Sequence, residues 1–489
     1  MQLKILIGAF VFVVLIATRL IIAFDPWLLL TGDECVVALM GSHLLQGRLT
    51  SGYFYGQHYG LAFPEAVCCS VGILFGGSHT VPIKISMLLL LLPAVWLLIW
   101  TVSRLSDWRW GAAAGVAFLA LPAWTIWSLQ ARGGYLTAFG ATMGAMCIAS
   151  MDTPGRSITR GVCMVGCLTM VVLGQLTWMA GLLIVLFGLA WHRHRIRWMA
   201  TCCGAAVCTA MLLHLWLRTL TEDTWNPPGI RPMRLIMELP SLPSRIWELA
   251  TSHLFVGVAT NAGYQVAGLG LIVLVGCAAV FQVGRILQKR WFPVSHIFAG
   301  ATVAQAAACL TLPAESRYLL PVLPFAIVWL AIEFSGMQRA SRVRVACLAL
   351  AFSLLAIGGV CGVMQMHLRP GYDKPSPDDN MHRLGEILVE ENFNFVFSQN
   401  PMLMWQLTYY SSERITCRWI KSKERIPGVV DAVNDAFNAG KPTVLIGTYG
   451  WSTEIVPPPE HETYGLEGLP FEFLPYPELS HLEQLGFEM

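Results

Sequence analysis

Apolar residues in this chain come in long runs, near 5–24, 82–102, 111–128, 136–151, 161–174, 176–191, 199–217, 265–284, 295–312, 318–334 and 345–366. Each approaches the roughly 20 residues that an α-helix needs to cross a bilayer. Lipid admits a polar backbone only as helix or closed barrel, so the pattern predicts a polytopic helix bundle of about eleven spans. The stretch 64–77 is too short and too interrupted to count. The stretch 161–191 allows one overlong helix, or two short ones turning near "LGQLT" at 173–177.

Charge decides between them. With two helices, Lys4, Arg104, Arg109, Arg156, Arg160, Arg193, Arg195, Arg197, Arg285, Lys289, Arg290, Arg339, Arg342 and Arg344 all fall in loops on one side. That is the positive-inside pattern, and a single helix would break it beyond residue 191. The N-terminus is then cytoplasmic. The outer face receives the loop 25–81, the "SLQARGGYLT" turn, the loop 218–250, the "LPAESRYLLP" turn and everything after 367. The opening "MQLKILIGAFVFVVLIATRLIIAFDP" lacks a small-residue cleavage site and reads as an uncleaved anchor. Within it, Arg19 reads as a snorkelling side chain.

Composition fits a membrane protein: 55% of the 489 residues are hydrophobic, 13% are charged, and mean hydropathy is +0.58. Soluble domains carry roughly twice that charge fraction. The net charge of +2 hides an asymmetry. Residues 1–370 hold 24 Lys+Arg against 12 Asp+Glu, whereas 371–489 hold 8 against 18. This divides the chain into a membrane domain, 1–370, and an acidic extracytoplasmic domain, 371–489. The expected fold is mainly α, with a small C-terminal α/β unit. The tail alternates helix (about 378–391), "FNFVFS", helix (401–411), "ERITCRWI", helix (428–439) and "PTVLIG", which favours a parallel sheet. Its end from "VPPPE" onward reads as irregular, and it carries no phosphate-binding loop.

Several function classes drop out. Most of the 14 cysteines sit inside apolar runs, where Cys behaves as a small hydrophobe, and none has metal-ligand spacing. The basic turn "HRHRIRW" at 192–198 needs only topology and anionic lipid to explain it, so nucleic acid is not a partner. The spans hold almost no ionisable residue, His214 being the main exception, and no internal repeat is visible. A transporter or flippase of lipid-linked glycans, whose polar residues gather at the bilayer midplane, is therefore the second reading.

Candidate chemistry concentrates on the outer face. Asp33 and Glu34 follow Gly32 just beyond the first span, at the start of a segment with helical apolar spacing. They either cap that helix, where the dipole favours anions, or mark a site at the membrane boundary. The loop continues with "YFYGQHYG": Tyr53, Tyr55, Gln57, His58 and Tyr59 suit a sugar by stacking and hydrogen bonding, while an interfacial aromatic belt explains the tyrosines equally well. Glu65 is a third acid, read as structural. Arg132 and Arg317 occupy outer turns against the positive-inside bias, either pairing with acids such as Glu315 or holding an anion such as phosphate. Tyr135 and Tyr318 share those turns and join them as substrate-binding candidates.

Together "TGDECVVALMGSHLLQGRLTSGYFYGQHY", "RGGY" and "ESRYLLPVLP" resemble the bacterial membrane glycosyltransferases of the GT-C class, kin of the protein O-mannosyltransferase and aminoarabinose transferase group, family 39. The likeness covers about residues 1–335 in layout, and only the first outer loop is specific. In that family the leading Asp of an acidic motif in this loop is the catalytic base, so the resemblance implies that role for Asp33, with Glu34 beside it. It further implies a polyprenyl-phosphate sugar donor, membrane lipid as surroundings, inverting transfer to an acceptor hydroxyl, and the inner membrane of a bacterium. Aminoarabinose transferases are described with a metal near the site; a divalent metal is left open here, with no ligand carried over. The tail has no counterpart in the resemblance, which leaves the acceptor unassigned.

Overall fold

The computed structural model describes residues 2–25, 28–49, 51–151, 158–220, 231–252, 261–288, 293–313, 315–336, 342–367, 377–421, 425–426, 428–448, 464–465 and 471–489. Arg156, Lys289, Arg290, Arg339 and the "VPPPE" segment lie outside these residues, as do the side chains of Lys4, Arg342 and Arg344.

The first half of the bundle comprises α1 (Gln2–Ala23), α2 (Gly32–Leu45), α3 (Phe63–Gly76), α4 (Thr80–Ser86), α5 (Leu88–Leu105), α6 (Trp108–Ala120), α7 (Pro122–Trp127), α8 (Tyr135–Ala149), α9 (Ile158–Gly174), α10 (Met179–His192) and α11 (Ile196–Arg218). Then come α12 (Pro232–Glu238), α13 (Leu242–Thr251), α14 (Ala262–Leu287), α15 (Pro293–Leu310), α16 (Val322–Ser335) and α17 (Arg342–His367). Among the described residues five helical stretches are long and apolar enough to cross a membrane: Thr80–Leu105, Ile196–Arg218, Ala262–Leu287, Ser316–Ser335 and Leu348–Met366. Shorter apolar helices fill the bundle between them. The chain is an integral membrane protein.

The ambiguous segment is two helices. It breaks at Gln175, whose extended backbone (φ −148°, ψ 95°) leads into a one-turn 3-10 helix, Leu176–Trp178. Three details differ from the sequence reading. Residues 63–76, for which the sequence reading gave no element, form α3, a helix too short to be among the five long stretches, which packs against α2 so closely that a Cβ on Gly41 would meet the Ser70 nitrogen at 2.8 Å. The run 111–128 is interrupted at Leu121, because the residue before Pro122 is pushed out of the helical region. Arg19 does not snorkel. It is fully buried at that interruption, donating through Nε to Ser128 Oγ (2.8 Å) and through one terminal nitrogen to the Leu119 carbonyl (3.2 Å). A helix end inside an apolar core needs such a donor, since its last carbonyls have no intrahelical partner.

The tail contributes α18 (Pro377–Glu390), β1 (Phe395–Ser398), α19 (Pro401–Tyr410), β2 (Thr416–Trp419), α20 (Val429–Asn438), β3 (Thr443–Thr448), β4 (Tyr464–Gly465), β5 (Phe471–Pro475) and α21 (Leu479–Gln484). Strand order is β2-β1-β3-β5-β4. The β2, β1 and β3 strands are parallel, as their alternation with helices predicts, with Phe395 opposite both Thr416 and Thr443. The β5 and β4 strands are antiparallel additions that the sequence reading did not contain. Phe397, Leu445 and Leu474 pack on one face of the sheet with Val433, Leu482 and Phe487. Val396, Val444 and Ile446 on the other face join, with Leu403 and Leu407 of α19, the same continuous core as the membrane helices.

Two contacts seat α19 on the start of α2. Gln406 donates to the Leu30 carbonyl at 2.7 Å, and a Cβ on Gly32 would meet Met402 Cα at 2.9 Å. Just beyond α19, Glu413 reaches back to the other end of α2, where its Oε2 lies 3.0 Å from His43 Nε2. The hydrogen bond from His43 holds the Glu413 carboxyl below its ordinary value, although partial burial acts the other way. A carboxyl with a depressed folded-state pKa stabilises docking above its unfolded value, about 4.3, and loses that contribution as pH falls through the folded value. Protection factors of the α19 amides, corrected for intrinsic exchange, are therefore expected to fall as the pH is taken below the unfolded value of about 4.3, and Glu413→Gln should flatten that dependence.

Candidate active site

The start of α2 is set by Thr31. Its hydroxyl accepts from Glu34 N (3.4 Å) while its own N–H donates to Glu34 Oε2 (3.0 Å), a reciprocal capping box. The other oxygen of Glu34 takes a 2.7 Å bond from Lys84 Nζ of α4, and both side chains are completely buried. Glu34 is thus committed inward. Asp33, about 100° further back around the helix, faces the other way, into a cavity of about 1290 Å³.

That cavity is lined by the first outer loop, the turn before α8, the α9–α10 break, α11, the residues between α15 and α16, and Arg425 of the tail. Of the residues singled out in the sequence, Asp33, Gln57, His58, Tyr59, Arg132, Tyr135, Arg317 and Tyr318 all line it. Glu34 and Tyr55 do not. Tyr55 is buried behind the loop with its hydroxyl 2.5 Å from His43 Nδ1, so its side chain fixes α2 rather than facing the cavity. Tyr53 contributes to the lining instead, and its hydroxyl lies 2.7 Å from Nδ1 of His214, which brings that histidine to the wall.

Glu65 explains how the "RGGY" turn is held. Its buried Oε1 accepts from the backbone N–H groups of Gly134 (3.0 Å), Leu136 (3.1 Å) and Thr137 (3.5 Å), at the positive end of α8. Gly134 there has φ 94°, and an added Cβ would meet the Leu61 carbonyl at 3.0 Å, so only glycine fits without strain. The turn aims Arg132 and Tyr135 at the cavity. The Arg132 guanidinium lies 4.7 Å from the Trp127 ring centre, its Nε is buried without a hydrogen-bond partner, and it has no acidic partner among the described residues. Arg317 differs: its Nε lies 2.5 Å from Glu315 Oε2, and its guanidinium 5.3 Å from the Tyr318 ring centre.

Arg425 was not anticipated. Its guanidinium stacks 4.5 Å from the centre of the Phe54 ring and places NH2 3.4 Å from Asp33 Oδ1. Burial lowers its pKa, and the charge of Asp33 opposes that shift. A local sign existed in the sequence, since "KSKER" at 421–425 is a basic cluster in a segment of net charge −10 (8 basic minus 18 acidic residues). The cavity therefore presents two carboxylates, Asp33 and Glu315, among three arginines. Its lining does not supply three donors that converge on one ion. Among the described residues the group that does, His79, Asp378 and His382, lies elsewhere.

A scan against family models and a search of curated proteins give no match. Solved structures do. The fold is that of the GT-C class of membrane proteins. ArnT from Cupriavidus metallidurans, in a crystal structure bound to undecaprenyl phosphate, matches with a TM-score of 0.60 over 97% of this chain and 98% of its own, at 13% identity. Its apo state matches equally well. The arabinofuranosyltransferase AftD from Mycobacteria matches 89% of this chain with a TM-score of 0.51 and 14% identity, over 35% of its own length. The ArnT match runs through the tail, beyond the region that carried the resemblance.

Replacing Glu65 by Ala removes the acceptor of up to three buried N–H groups, which should cost roughly 1–3 kcal/mol. Glu65→Gln keeps an acceptor oxygen and should cost less. Thermal unfolding of the two variants in detergent checks the order.

Proposed function

We propose that this protein is a polyprenyl-phosphate-sugar-dependent glycosyltransferase of the inverting kind, working at the outer face of a bacterial inner membrane with its N-terminus in the cytoplasm. The observation that carries this reading is the placement of Asp33 in a cavity that also holds Arg132, Arg317 and Arg425. Support comes from the shared fold with ArnT, which binds undecaprenyl phosphate. The membrane domain, 1–370, supplies the donor site, and the extracytoplasmic domain, 371–489, completes it through Arg425.

In this mechanism Asp33 accepts the proton of the acceptor hydroxyl as its oxygen attacks the anomeric carbon. The bond from that carbon to the phosphate oxygen breaks on the opposite face, and its electron pair leaves with the polyprenyl phosphate. A cation must meet the departing charge. Arg132 suits this best, because no carboxylate among the described residues neutralises it; Arg317 would assist from its pair with Glu315. Tyr59, Tyr135 and Tyr318 offer ring faces, and Gln57 and His58 polar groups, to the sugar.

General-base assistance is worth about 10² to 10⁴ in rate. In membranes incubated with a panel of labelled polyprenyl-phosphate sugars, Asp33→Asn should lower label transfer by that factor with unchanged insertion and thermal stability. Transfer undiminished in the variant would remove Asp33 from the mechanism.

A further inference from the structure

A second cluster of chemically able side chains lies where the tail meets the membrane domain, apart from the cavity. Asp378 stands in the first turn of α18 and His382 follows one turn later on the same face. His79 stands immediately before α4. Asp378 Oδ1 accepts from Thr80 N (3.2 Å) and from the Thr80 hydroxyl (2.6 Å), which caps α4 from across the junction. Its Oδ2 lies 3.2 Å from His79 Nδ1. The rings of His79 and His382 lie with centroids 4.4 Å apart, tilted by 47°. Tyr410 sits edge-on to His382 at 4.9 Å, so the ring cannot swing away on that side. The Nε2 atom of His382 is buried with no hydrogen-bond partner. One ligand atom from each of the three residues lies within 4.8 Å of the other two.

An orphaned imidazole nitrogen, a second imidazole and a carboxylate oxygen around one point form a metal-ligand set. We propose that His79, Asp378 and His382 bind a zinc ion that clamps the tail onto the outer end of α4, with water in the fourth position. Two nitrogens and one oxygen suit zinc better than calcium or magnesium, which take oxygen ligands. Tetrahedral zinc with ~2.05 Å bonds sets its ligands about 3.3 Å apart, so donors lying within 4.8 Å of one another need to draw in by up to about 1.5 Å. His79 is exposed and can rotate to do so. The outer shell is in place: Thr80 holds the non-ligating oxygen of Asp378, and the Thr80 hydroxyl is itself 2.7 Å from Tyr410 Oη. The residues that hold the ion come from both sides of the junction, so its binding energy resists separation of the two.

The test uses the full-length protein, purified in detergent, stripped with a chelator and titrated with zinc chloride against a chromophoric competitor. One zinc per chain should bind with submicromolar Kd and raise Tm by about 3 °C or more at saturation. His79→Asn keeps an exposed polar residue at the start of α4, and His382→Gln keeps a polar group in place. Each should weaken binding by at least about 100-fold and abolish the rise in Tm. Asp33→Asn should bind zinc as the wild type does. No zinc uptake by the stripped protein, unchanged affinity in a monodisperse His79→Asn sample, or loss of binding in Asp33→Asn would each overturn the proposal.

Discussion

Two adjacent residues on a helix cannot face the same way, and the candidate site depends on how that conflict is resolved at Asp33 and Glu34. A turn of 3.6 residues separates neighbouring side chains by about 100°. Lys84 and the Thr31 cap fix Glu34 inside the protein, where an unpaired carboxylate would be severely penalised. With that rotation pinned, Asp33 has only the cavity side left. Were Lys84 apolar, Glu34 would be a buried charge without a counterion, and the lowest-energy response would be to rotate or unwind the start of α2. The ion pair is therefore less a source of net stability than a device that sets direction.

The bundle was legible because lipid leaves so few solutions. Long apolar runs can only be helices, and charge bias alone indicated that residues 161–191 turn at 173–177, where the chain breaks at Gln175. The parallel part of the tail was legible for a similar reason, since apolar strands alternating with helices have one common arrangement. What escaped were features decided by tertiary contact. Residues 63–76 are too short to be among the five long stretches, as the sequence reading had it, but that they form a helix lying against α2 through small residues was not legible. Arg19 looks like a side chain reaching for water, but a helix break about 100 residues away offers it carbonyl and hydroxyl partners.

Site residues divided in the same way. Asp33, Arg132 and Arg317 could be singled out because polar residues at a membrane boundary are costly unless they are used or paired. Periodicity could not separate Asp33 from Glu34, nor Tyr53 from Tyr55, since in each case the partner that turns one residue inward belongs to another element: Lys84, 50 residues on, for Glu34, and His43 of α2, 12 residues back, for Tyr55. Arg425 lies 392 residues from the aspartate it meets, and no local pattern encodes that meeting. The tail that looked like an appendage forms a wall of the cavity. It is held there by α19 against α2, by Glu413 on His43, and by Asp378 on Thr80.

The three arginines of the cavity are not equivalent, and the difference bears on where an anion would settle. Arg317 is neutralised by its own neighbour Glu315, and Arg425 by Asp33. Arg132 has only the face of Trp127, which attracts a cation weakly compared with a carboxylate. Under the proposed reading a phosphate settles first beside Arg132 and then competes with Asp33 for Arg425, whose 3.4 Å contact is long for a charged pair. Drawing Arg425 toward the phosphate takes its guanidinium off Asp33 Oδ1. That oxygen is then open to the acceptor hydroxyl when the donor is in place, so donor binding and access to Asp33 are coupled through one side chain supplied by the tail.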